Sequence, residues 1–95
     1  PKFTLLERTE TVEEWSFTCP GCGHSHWVRT RGERPVWQWN GNVDKPTVSP
    51  SINVGPGTKS QCHFFVTDGN IIFLGDCWHS LKGQTVEIPD QEATA

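Results

Sequence analysis

The chain has 95 residues, of which 34% are hydrophobic, with five Trp, five Phe, no Met and a net charge of −3. That length predicts one domain, residues 1–90 with a frayed tail over 91–95, and a core small enough for a metal staple to matter. The acidic balance (pI near 5.7) and scattered basic residues, of which only Arg29, Arg31 and Arg34 cluster, argue against nucleic acid or an anionic membrane as partner.

No apolar run reaches the roughly 20 residues of a membrane span, and no signal peptide is visible. With no Met and Pro1 in first place, the chain reads as a product whose initiator was removed. The expected compartment is a reducing cytoplasm, where clustered cysteines bind metal in preference to forming disulfides. Two disulfides are the competing reading of the same four cysteines.

Helical periodicity is nearly absent. Short runs rich in aromatic and β-branched residues alternate with Gly, Pro, Asn and Asp, which predicts an all-β antiparallel sandwich or barrel-like domain. Strands are expected near residues 3–8, 14–18, 25–30, 36–40, 47–54, 62–67, 70–76 and 84–88. Glu7, Glu10, Glu13 and Glu14 read as a solvated face. Trp15 and Phe17 alternate with polar neighbours, as do Trp37 and Trp39, so each pair points to one face.

Between the second and third runs lies Cys19-Pro20-Gly21-Cys22-Gly23. Two thiolates at this spacing form a knuckle that aims both sulfurs at one metal ion. Farther along, Pro50 interrupts the fifth run and demotes that segment to an edge, a bulge or a loop. The run 62–67, then Asp68-Gly69, then 70–76 is a hairpin with a two-residue turn. A regular register puts Thr67 opposite Asn70, His63 opposite Leu74 and Cys62 opposite Gly75.

Side chains alternate across such a hairpin. Cys62, Phe64, Val66, Ile71, Phe73 and Cys77 share one face; His63, Phe65, Ile72, Leu74 and Asp76 share the other. Both faces are apolar, so both are expected to be covered. The knuckle with Cys62 and Cys77 makes a closed four-sulfur site for structural Zn²⁺. His26, His63 and His79 compete for one of the four places, and His24 reads as a solvated loop residue. Cys62 and Cys77 also suit the bland role of small buried hydrophobes.

Lys45-Pro46-Thr47-Val48-Ser49-Pro50-Ser51 sets two hydroxyls around a proline that holds the chain extended and removes a donor. A serine nucleophile needs an imidazole base, which a carboxylate orients. His63 and Asp76 lie on one face in reach of each other, with His79 an alternative base. On composition alone, a rigid edge segment with solvated hydroxyls is the simpler account, and no Gly-x-Ser-x-Gly elbow is present. A catalytic zinc on His63, His79 and Asp76 is a third arrangement.

Trp-Ser-Phe-x-Cys-Pro-Gly-Cys-Gly over 15–23, Trp39-Asn40-Gly41, the segment 45–51, Cys62-His63-x-Phe65-Val66 and Asp76-Cys77-x-His79 together resemble a family of short phage and bacterial proteins. That family is classed as a domain of unknown function and often carries the label ammonia monooxygenase. Some relatives sit in bacterial operons with ubiquitin-like proteins and E1- and E2-like enzymes, in the role of a serine peptidase. The resemblance implies a phage- or prophage-encoded, zinc-stabilised hydrolase of peptide or isopeptide bonds, with a ubiquitin-like or phage protein tail as substrate. It raises Ser51, or Ser49, with His63 and Asp76 as catalytic candidates. The monooxygenase label finds no copper site here. The contrasting expectation is a noncatalytic zinc module that docks a phage or host protein through Trp37, Trp39 or Trp78.

Overall fold

In the computed structural model, which describes residues 1–91, the alternating pattern becomes two antiparallel sheets. Strands β1 (Thr4–Arg8), β2 (Glu13–Thr18) and β3 (Ser25–Arg31) form one. Strands β4 (Gln38–Trp39), β5 (Val48–Val54), β6 (Cys62–Thr67), β7 (Asn70–Phe73) and β8 (Thr85–Glu87) form the other. Each sheet runs in chain order, the simplest wiring for hairpin-linked strands. The all-β antiparallel class is as predicted, with no helix among the described residues and hence none long and apolar enough to cross a membrane.

The core lies between the sheets. Trp15, Phe17 and Val28 from the first meet Val48, Ile52, Phe64, Val66, Ile71 and Phe73 from the second. Phe17 and Phe64 touch edge to face across the gap, with ring centroids 5.8 Å apart. Phe3, Phe17, Phe64 and Phe73 are essentially sealed from water, each contributing roughly 2 kcal/mol of apolar burial. Trp39 closes one end against Trp15 and Phe3.

The glutamates of the first hairpin correct the expectation of a solvated face. Glu13 is largely shielded and accepts from Thr30 Oγ1 at 2.8 Å, Arg8 Nε at 3.0 Å and Trp15 Nε1 at 3.1 Å. Desolvation pushes its pKa up, but these donors outweigh that and hold it below the ordinary 4.5. Glu14 pairs with Arg29 at 2.9 Å. Glu7 and Glu10 are exposed.

Asp68 and Gly69 form the predicted tight turn, with φ of 49° and 80°. The ladder runs Thr67↔Asn70, Val66↔Ile71, Phe65↔Ile72 and Phe64↔Phe73. It sorts the faces as alternation requires, with Cys62, Phe64, Val66, Ile71, Phe73 and Cys77 all buried. Two expectations are corrected. Strand β7 stops at Phe73, because the chain then turns and the Cys77 N–H donates to the Leu74 carbonyl at 3.3 Å. The outer face is not covered: the other sheet packs on the inner face alone, leaving Phe65 41% exposed and His63 only half-buried. Residues 92–95 of the expected tail lie outside the described residues. Gln91 itself donates to the Pro1 carbonyl at 2.6 Å and to Thr18 Oγ1 at 2.9 Å.

Candidate functional site

Pro50 has no N–H to give to a ladder. Pairing between β5 and β6 accordingly slips: β5 advances from Val48 to Ile52 while β6 goes only from Val66 to Phe64. Ser49-Pro50-Ser51 therefore lies against the single Phe65 of β6 and forms a bulge with two surplus residues. Trp37 supports it by donating its indole N–H to the Ser51 carbonyl at 3.2 Å. Ser51 thereby faces the open side of the sheet, on the same side as His63.

Three predicted side chains come together there. Ser51 Oγ lies 3.2 Å from His63 Nε2, and His63 Nδ1 lies 3.1 Å from Asp76 Oδ2. A carboxylate at Nδ1 keeps the proton on that nitrogen and turns the Nε2 lone pair toward the hydroxyl. Asp76 reaches His63 from the turn after β7, so the early end of that strand helps to set the geometry. Ser49 is exposed, sits opposite Gln38 of β4, and has no side-chain partner among the described residues. His79 is on the buried side, its ring against Phe73 and over Gly21.

Sequence reasoning missed Gln61. Its Nε2 donates to Asp76 Oδ2 at 2.9 Å, and its Oε1 accepts the Gly57 N–H at 2.7 Å. The amide thus ties the carboxylate that faces His63 to a loop backbone. The signal was available, since residues two apart on a strand share a face.

Beneath the open face lie the cysteines, all free. The ligand atoms of Cys19, Cys22, Cys62 and His26 lie within 4.8 Å of one another, and those of Cys62, Cys77 and His79 form a second, overlapping group. Two thiolates on one tetrahedral zinc are about 3.8 Å apart, so the first group is near the spacing that an ion requires. The Cys62 thiol holds Cys19 well below the ordinary 9.0, to about 3. That contact and burial push Cys62 up, and burial foremost pushes Cys22 up. One thiolate thus sits among thiols kept protonated, and a cation in this space would favour the charged form of all of them.

The imidazoles differ. His26 is buried and its Nε2 has no hydrogen-bond partner, which costs about 1–3 kcal/mol if left so. His79 Nδ1 accepts the Leu81 N–H at 3.3 Å, which leaves the proton on Nε2, 3.4 Å from Cys62 Sγ. Cys77 engages the backbone of His63, accepting from its N–H at 3.3 Å and donating to its carbonyl at 3.0 Å. Cys and His together make a donor set that can hold a metal ion.

Searches of curated proteins and of solved structures find no match to this chain. A protein-family model does match, over residues 1–74, a span that includes Ser51 and His63 and ends just before Asp76. With most of its length matched, the chain belongs to the family described as bacterial ubiquitination-like system serine protease (BubE).

Proposed function

We propose that this protein is a serine hydrolase that cleaves a peptide or isopeptide bond at the tail of a ubiquitin-like protein, in the cytoplasm of a bacterial cell. The observation that carries the reading is the relay Ser51–His63–Asp76, with contacts of 3.2 and 3.1 Å. Ser51 attacks the carbonyl carbon while His63 Nε2 takes its proton. His63 then returns that proton to the leaving amine. Asp76 fixes the tautomer and stabilises the imidazolium, and Gln61 positions Asp76. Water reverses the sequence to release the acyl group from Ser51. The open sheet face leaves room for an extended tail rather than a deep-seated small molecule.

The metal in this reading is a structural Zn²⁺. It is held by Cys19, Cys22 and Cys62, with His26 as fourth ligand because its Nε2 has no other partner. Cys77, the fourth ligand expected from the sequence, is occupied by the His63 backbone. Zinc there locks the β2–β3 knuckle to the strand that carries His63 and supplies no step of the reaction.

The test is hydrolysis of the C-terminal tails of bacterial ubiquitin-like proteins. Ser51→Ala and His63→Ala each lower kcat by about a thousandfold or more with fold and metal retained, while Ser49→Ala keeps activity. Full activity in Ser51→Ala rejects the serine mechanism. The alternative, a docking module using the exposed Trp78, then takes its place.

A further inference from the structure

Ser51 opens onto a cleft of about 650 Å³ lined by Arg34, Pro35, Val36, Trp37, Pro50 and Ser51. Its walls are two prolines, a valine and an indole that its hydrogen bond to the Ser51 carbonyl holds in place. The only charged side chain lining it is Arg34. Among the described residues, Arg8, Arg29 and Arg31 each pair with a glutamate, whereas Arg34 pairs with no carboxylate. The loop that carries it is anchored, because Arg29 Nη1 donates to the Glu33 carbonyl at 2.7 Å and the Trp37 N–H to the Arg29 carbonyl at 2.9 Å. An unpaired guanidinium, on a fixed loop beside an apolar platform and a nucleophile, is suited to a forked anion.

We infer that Arg34 is a specificity residue that seats a carboxylate of the substrate chain next to the bond facing Ser51. The inference rests on the serine-hydrolase reading for its direction, but the binding it describes does not require turnover. The carboxylate has two sources: an Asp or Glu side chain beside the scissile bond, or the free C-terminus of a short tail. Either one places an acidic group in a cleft of an otherwise acidic protein, where the free cation makes the choice.

Binding separates these possibilities without relying on catalysis. The Ser51→Ala protein is presented to an immobilised peptide library in which each Asp or Glu has an Asn or Gln twin, and each free C-terminus an amidated twin. Acid-bearing peptides are expected to bind about tenfold more tightly than their amide twins. Arg34→Ala removes that preference, and Arg34→Glu turns it toward Lys and Arg. Loss confined to amidated termini identifies the terminal carboxylate; loss confined to the Asn and Gln twins identifies the side chain. A library in which no acidic peptide outbinds its twin, or an unchanged preference in Arg34→Glu, overturns the inference. Failure of wild-type protein to cleave peptides that it binds through Arg34 counts against the serine mechanism alone.

Discussion

Gln61 holds in place the carboxylate that meets His63. Asp76 is half-exposed, and a free carboxylate there rotates among rotamers. The amide of Gln61 holds the same oxygen that faces His63 Nδ1. Gln61→Ala is therefore expected to lower kcat about tenfold with KM unchanged and the thermal midpoint little altered, and Gln61→Asn to restore little because its amide is one carbon shorter. Equal loss of kcat and of thermal stability marks Gln61 as merely structural. Alternation along the hairpin put His63 and Asp76 on one face, but the contact is made from the turn after β7, which the longer expected strand did not foresee. The amide was not picked out, because a polar residue at a strand start usually faces water.

Among the strands, the β5 bulge and the Cys19–Cys22 knuckle do most to shape the site. Pro50 announced a break in pairing, and the break became a bulge between two paired strands. The turn at Asp68-Gly69 announced the register, which alternation then converted into an inner and an outer face. The extent of β7 and the bare outer face were not readable. They depend on where the other sheet lies, a long-range matter that periodicity does not encode. The knuckle belongs to the first sheet and Cys62 to the second, so a metal shared between them joins the sheets. Cys19→Ser is expected to lose metal, measured by elemental analysis, and to lower the thermal midpoint by ten degrees or so. A fully metallated, equally stable Cys19→Ser protein contradicts that role.

The molecule works as a layered device: aromatic core and cysteine cluster inside, a relay of hydroxyl, imidazole and carboxylate outside. Neighbouring residues serve opposite sides. Cys62 points in and His63 out; Asp76 points out and Cys77 in. The cysteine cluster and the Ser51–His63–Asp76 contacts are thus tied through single peptide units, and a shift of the cluster reaches His63 without any intervening loop. The span matched by the BubE family model holds Ser51 and His63, and Asp76 meets His63 from just beyond it. The most direct measurement is labelling of the intact, metal-loaded protein with a fluorophosphonate, followed by peptide mass spectrometry. The account predicts a single adduct on Ser51, abolished in His63→Ala and indifferent to Ser49→Ala. Labelling on Ser49, or equal labelling of Ser51 in the absence of His63, contradicts it.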